Sequence, residues 1–249
     1  MRAKAVDVLS PDNPSGLPYR LLLTCEHASQ LMPSPWRWPD EDRRLLNTHW
    51  ALDLGSEAPA VIAQFSRLLV DANRPLDSPT LFRDAADGQP EKEDRLQACY
   101  YPYHRALAEL QRKVMPDFIL SLHSYTNNYE GQPREVEVGV LYDEDEDLAK
   151  TIRQQFIDQG RYECRLNEPW SGKEGFMYSA DRHGHWDEDA FKGWTEKKGK
   201  GDIAVVMLEM KNDLLTDRAW RTQFTQRLID ILRSDPVVAL VKAKKSSAT

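Results

Sequence analysis

Residues Leu21-Leu22-Leu23-Thr24-Cys25-Glu26-His27-Ala28-Ser29 pass from an unbroken apolar run straight into an acid and a histidine. A short apolar run with polar groups only at its end is the pattern of a strand buried on both faces. Strands of that kind belong to sheets covered by helices. Such sheets deliver their working groups at the carboxyl ends of the strands. The pattern recurs at Phe118-Ile119-Leu120-Ser121-Leu122-His123-Ser124. Two strands that each end in a histidine predict one shared site. Whether that site holds a metal is the question the rest of the chain must answer.

Working outward, the first strand runs from Tyr19 to Cys25, after an irregular lead-in at 1–18 with Pro11, Pro14, Gly16 and Pro18. Gln30 to Pro39 reads as a loop packed by Trp36 and Trp38, and Asp40 as the N-cap of a short helix through Leu46. A helix is predicted from Ala51 to Phe65, broken or begun at Pro59. Arg67 to Pro75 reads as an apolar strand ending in polar groups. Residues 76–98 form a long charged loop. Pro102 to Val114 has helical spacing, and Pro116-Asp117 resets the chain for the strand ending at His123. Residues 126–134 form a turn or flap, and Val136 to Tyr142 a strand. The acids Asp143 to Asp147 suit the positive end of a helix reaching Gln159. Residues 167–200 are loop-like. Asp202 to Met210 is a buried strand, Thr216 caps a helix to Arg233, and the tail at 242–249 is flexible. Strands alternating with helices predict an α/β fold. Its form is a three-layer αβα sandwich with a central mixed, largely parallel sheet, and one domain over residues 1–249.

The bulk numbers narrow the class. With 249 residues the chain can bury a full core, and 41% hydrophobic with 29% charged residues is ordinary for a soluble domain. A formal net charge of −7 argues against a general affinity for nucleic acid. No apolar run approaches membrane-spanning length, and the N-terminus lacks the apolar segment of a signal peptide. Cys25, Cys99 and Cys164 are odd in number and far apart, so a cytoplasmic protein with reduced thiols is expected. Nucleotide-binding glycine motifs and the GxSxG serine-hydrolase elbow do not occur.

Hydrolytic zinc needs about three protein ligands, with one position left for water. His27 and His123 form the natural pair. The third ligand is open between Asp53, Glu26 and His49. His49 and Asp53 share a face if helical. Glu26 and His27 are adjacent and point oppositely in an extended chain, so one ion would need a turn there. Glu209 is an acid inside Val205-Val206-Met207-Leu208-Glu209-Met210, and a buried carboxylate calls for a cation or a role in proton transfer. Asn73-Arg74 is expected to follow a strand, and an arginine fixed at a strand end can grip a carboxylate with two parallel hydrogen bonds. Arg83 could do the same from the long loop. His104 opens a helix and could orient a ligand or substrate. Trp170 and Ser171 could wall a pocket. His183 and His185 are expected in solvent.

Taken together these residues resemble a known family. Thr24-Cys25-Glu26-His27-Ala28-Ser29, His49-x-x-x-Asp53-x-Gly55, Asp71-x-Asn73-Arg74-Pro75, Pro102-Tyr103-His104, Ser121-x-His123-Ser124-Tyr125-Thr126, Asn167-Glu168-Pro169-Trp170-Ser171-Gly172 and Leu208-Glu209-x-x-x-Asp213 stand in the order found in the N-formylglutamate amidohydrolases. The likeness covers about residues 20–215, and the seven motifs in order are specific to the family, though not to one substrate. It implies a phosphorylase/hydrolase-like sandwich, related to the zinc carboxypeptidases and aspartoacylases, with one zinc ion per chain. It implies hydrolysis of the amide of an N-formyl or N-acyl amino acid. His27 and His123 match the histidine ligands, Glu209 the general base, and Asn73-Arg74 the pair that binds the substrate carboxylate. The zinc carboxypeptidases supply their first ligands as HxxE, whereas this chain reads His27-Ala28-Ser29-Gln30. The carboxylate ligand must then come from elsewhere, Asp53 first and Glu26 second. Trp170 stands where relatives have tyrosine. Arg83 is expected to assist at the oxyanion, and His104, Trp170 and Ser171 to line the substrate. The expected partner is a small N-acyl amino acid, met by a monomer or homodimer with no nucleic acid or membrane. A metabolite-binding protein or a carboxypeptidase-like peptidase on the same fold is the alternative.

Overall fold

The computed structural model describes residues 4–10, 16–34, 36, 58–82, 92–129, 131–159, 162–184 and 202–247. Its strands are β1 (Val6–Leu9), β2 (Leu21–Cys25), β3 (Ala60–Ala63), β4 (Phe118–Tyr125), β5 (Asn128–Tyr129), β6 (Gln132–Pro133), β7 (Val138–Leu141), β8 (Cys164–Leu166) and β9 (Ala204–Lys211). β5 and β6 pair as a separate hairpin, and the other seven form one sheet in the order β1-β3-β2-β4-β9-β7-β8. β3, β2, β4 and β9 run parallel, β1 and β7 run antiparallel to their neighbours β3 and β9, and β8 is parallel to β7.

The helices are α1 (Lys92–Arg95), α2 (Tyr101–Val114), α3 (Glu146–Asp158), α4 (Tyr178–His183), α5 (Asn212–Thr216), α6 (Arg218–Arg233) and α7 (Asp235–Ser247). A π-helical turn, Leu96–Tyr100, joins α1 to α2. Helices cover both faces of the sheet. Leu21, Leu23, Leu120 and Val206 pack one way, with Phe156 and Phe224 of α3 and α6. Leu22, Ile119, Val205 and Met207 pack the other way, with Tyr103 and Leu107 of α2. The α/β architecture and its mixed sheet are therefore as the sequence predicts. Burial on both faces explains why β2 has no alternation to read, and each such Leu contributes about 1.5–3 kcal/mol.

α2 stops at Met115, a left-handed residue whose N–H bonds to the Gln111 carbonyl, with Arg112 and Lys113 in the last turn to complement the helix dipole. The N-cap of α6 is Asp217, not Thr216; its carboxylate accepts from the Ala219 N–H.

Several expected elements differ. Residues 60–63 are a strand, because Val61 and Ile62 are needed between β1 and β2; the helix expected over Ala51 to Phe65 is absent there, and residues 51–57 lie outside the described residues. Arg67 to Pro75 is a series of turns, since its polar side chains hold one another instead of a neighbouring strand. The lead-in contains β1, and helix enters the expected 76–98 loop at Lys92. The tail is helical through Ser247, pinned where Lys244 meets Asp145 at 2.6 Å and Lys245 meets Asp117 at 2.9 Å. Trp36 is buried as expected, whereas Trp38 and the Asp40 helix lie outside the described residues. Among the described residues no helix is long and apolar enough to cross a membrane. Cys25, Cys99 and Cys164 are buried free thiols.

Candidate functional site

Polar groups collect at the carboxyl ends of β2, β4 and β9, on the face covered by α2. In β4 the residues after Ile119 on this face are Ser121 and His123, and the register places Glu209 of β9 beside His123. β2 ends in a turn at Glu26-His27. That turn cancels the extended alternation, so two adjacent side chains serve one site.

Glu26 is fully buried and spends both oxygens. Oε1 accepts from the Tyr103 hydroxyl at 2.8 Å. Oε2 accepts from Ser121 at 3.2 Å and meets His123 Nε2 at 2.8 Å. Burial opposes its charge, but the imidazole and hydroxyl donors outweigh burial and hold its carboxyl well below the usual range. Asp71 does for His27 what Glu26 does for His123. Its Oδ1 meets His27 Nε2 at 2.8 Å and accepts from the Asn73 N–H at 2.9 Å, while Oδ2 accepts from Arg67 at 2.7 Å. Burial again opposes the charge, and the Arg67 guanidinium leads the groups that overcome it.

The His27 and His123 rings lie edge to face with centroids 4.4 Å apart. An ionised carboxylate only accepts, so each Nε2 carries a proton. Burial and the Arg67 charge lower the His27 pKa to about 3, which keeps the ring neutral. Its Nδ1 faces Arg67 at 3.5 Å. His123 Nδ1 has no hydrogen-bond partner among the described residues. Glu209 completes the cluster. Its Oε2 is buried with no hydrogen-bond partner. Burial raises its pKa, against the pull of His123, Arg67, Arg134 and Arg74.

The two histidines have the hydrogen-bonding chemistry of zinc ligands. Metal-binding histidines commonly donate their other N–H to a carboxylate, which fixes the tautomer and increases ligand basicity. Both rings do so here, beside a buried carboxylate oxygen in need of a partner. Asp53, the expected third ligand, lies outside the described residues, among which no three His, Cys, Asp or Glu side chains are grouped to hold an ion. Glu26, the alternative ligand, is instead occupied as the anchor of His123.

The other expected site residues fall in distinct places. Asn73 spends its amide on backbone, donating to Phe176 O at 2.6 Å and accepting from Ser179 N–H at 2.9 Å, so it staples two loops. Arg74 donates to the Asn73 carbonyl and to Thr80 and lies 5.0 Å over the Phe176 ring. His104 is buried and spends its ring nitrogens elsewhere, on the Ala72 carbonyl at 3.0 Å and His183 at 3.2 Å. His183 is buried as well, contrary to the solvent exposure expected for it, because α4 packs it against α2. Trp170 stacks on Phe176 at 5.2 Å, and Ser171 precedes the 3-10 turn Gly172–Glu174. Arg83 and His185 lie outside the described residues. Sequence reasoning missed Asp71, Tyr103, Arg67 and Arg134 as site residues. The first two stood inside quoted motifs, and the arginines carried no local signal.

His104 and His183 give a stability prediction. Burial lowers His104 to about 3 and His183 well below its ordinary value. Both groups have folded pKa values below the unfolded value of about 6.5, so the unfolded chain takes up protons first as pH falls. Stability is full above pH 6.5 and declines as pH drops toward the folded values. Urea unfolding at pH 5.0 should give a stability about 2–4 kcal/mol lower than at pH 7.5. A flat profile would show that the rings are charged in the fold.

The sequence profile of the N-formylglutamate amidohydrolase family matches residues 19–216. No curated protein sequence matches the chain. Among solved structures, a gene product of Agrobacterium tumefaciens aligns with a TM-score of 0.69 at 24% identity, over 92% of this chain and 94% of that one. An N-formylglutamate amidohydrolase from Ralstonia eutropha aligns with a TM-score of 0.57 at 15% identity, over 98% and 99%. At these identities the likeness speaks for the fold.

Proposed function

The chain belongs to the N-formylglutamate amidohydrolase family, and from that premise we propose that it hydrolyses the amide of an N-formyl or N-acyl amino acid, N-formylglutamate first among them. The products are the carboxylic acid and the free amino acid. One observation carries the reading. Glu209 Oε2 is buried without a partner, beside two histidines anchored by Asp71 and Glu26. His27 and His123, with Asp53, would hold one zinc ion per chain. When bound, such an ion supplies Lewis acidity, polarising a carbonyl and lowering the pKa of water to about 7.

The chain's own groups do the rest. Glu209 takes the proton of the attacking water and passes it to the amine nitrogen as the carbon–nitrogen bond breaks. Its raised pKa suits both tasks, since it must release the proton it has just accepted. Arg67, and Arg83 beyond the described residues, offer positive charge to the developing oxyanion. Arg74 holds a substrate carboxylate, and Asn73 keeps Arg74's loop in place by binding the 176–179 segment. Buried free thiols suit a reducing compartment, so the proposed setting is the cytoplasm.

The test is a metal analysis paired with a screen of N-formyl, N-acetyl and longer N-acyl amino acids, on wild type and His123→Ala. About one zinc per chain and turnover of N-formylglutamate are expected, both lost in the variant. A zinc-loaded protein that turns over no N-acyl amino acid overturns the reading.

A further inference from the structure

Among the described residues Arg134 is a cation with no anion in contact. Its guanidinium makes no hydrogen bond or ion pair among the described residues. Three aromatic faces hold it instead, with Trp170 at 4.7 Å, Tyr129 at 4.8 Å and Tyr125 at 5.6 Å. The residue is half-buried, so part of its hydration is gone. Ring faces compensate a guanidinium only in part, and leave its in-plane N–H donors for another acceptor.

Its position is fixed by the strands that carry the chemistry. Tyr125 lies two residues beyond His123 on the same face of β4. Arg134 N–H bonds to the Asn127 carbonyl at 2.8 Å, and Asn127 Oδ1 accepts from the Asp213 N–H at 3.1 Å, just past β9. The β5–β6 hairpin therefore returns Arg134 to the ends of the two strands bearing His123 and Glu209. Arg134 is also among the charges that Glu209 senses, ahead of Arg74. Trp170 beneath it stacks on Phe176, so the guanidinium caps an aromatic wall beside the reacting groups.

We propose that Arg134 is a specificity residue that takes the side-chain carboxylate of an acidic N-acyl amino acid. The inference rests on the amidohydrolase reading for its substrate class. The planar fork meets a carboxylate with two parallel N–H bonds, and the rings below keep the fork oriented. A neutral amide of the same shape would offer one oxygen and no charge.

The test compares N-formyl-L-glutamate with N-formyl-L-glutamine in wild type, Arg134→Gln and Arg134→Lys. R134Q should lower kcat/KM for the glutamate substrate about 30-fold, mainly through KM, and leave the glutamine substrate within about threefold. R134K, which keeps the charge and loses the fork, should fall between. Equal losses on both substrates, or none on either, overturn the inference. Glutarate binding followed by calorimetry reads the same contact without turnover. R134Q losing glutarate affinity in a protein that hydrolyses nothing would uphold Arg134 and overturn the amidase reading. Hydrolysis of N-formylglutamate with R134Q unchanged would do the reverse.

Discussion

Glu209→Gln is expected to lower kcat for the proposed hydrolysis by about 100-fold or more. Zinc content should stay as in wild type, because Glu209 is not among the proposed ligands. The substitution keeps the shape of a side chain whose Oε2 has no partner to lose. It removes only the capacity to accept and return a proton. Stability should therefore change by less than about 1 kcal/mol, which separates this result from a folding defect. Single-turnover kinetics, metal analysis and a thermal melt on one preparation suffice. Activity within tenfold of wild type would remove Glu209 from the proton-transfer role and leave its buried carboxylate unexplained.

Glu26→Ala should be the most damaging single change to stability, at about 3–5 kcal/mol. The truncation leaves the Tyr103 hydroxyl, the Ser121 hydroxyl and the His123 Nε2–H without their common acceptor in the interior. Glu26→Gln fills the same space but points an NH2 group at donors, so it should cost less and still perturb His123. Since Glu26 fixes the His123 tautomer, either variant should also weaken zinc binding by about 10–100-fold. Urea unfolding and chelator competition measure the two effects. A Glu26→Ala protein within 1 kcal/mol of wild type would mean that His123 is held by something other than Glu26.

These two acids show where reading a chain succeeds and where it stops. Glu209 stood out because a charge inside an apolar strand is costly, and that cost is visible locally. The strand ending at Cys25, the strand read as ending at His123 and found to reach Tyr125, the helix to Val114 and the mixed sheet were legible for the same reason, as runs and periodicities long enough to register. Glu26 was visible too, but its partner was not. It lies 97 residues from His123, and no local pattern encodes a pairing across that distance. Asp71 and Tyr103 were passed over beside more conspicuous neighbours, Arg74 and His104, because their roles depend on what faces them. β3 was mistaken for helix because four buried residues after a proline offer no alternation. Arg67 to Pro75 was mistaken for a strand because Leu68-Leu69-Val70 is apolar, whereas the fold uses that stretch to bury turns.

The sheet order has a consequence for how the chain is made. β9 is the last strand in sequence, yet it lies between β4 and β7. Until residues 204–211 have left the ribosome, the strands can form only two separate pieces, β1-β3-β2-β4 and β7-β8. The hydrogen-bonding flanks of β4 and β7 then face water, and an unpaired apolar flank invites association with other chains. A nascent chain stalled before residue 204 would be aggregation-prone and would lack Glu209. The strand that delivers the proposed base is also the wedge that joins the two halves, so a chain cannot acquire the full polar cluster before it has closed its sheet.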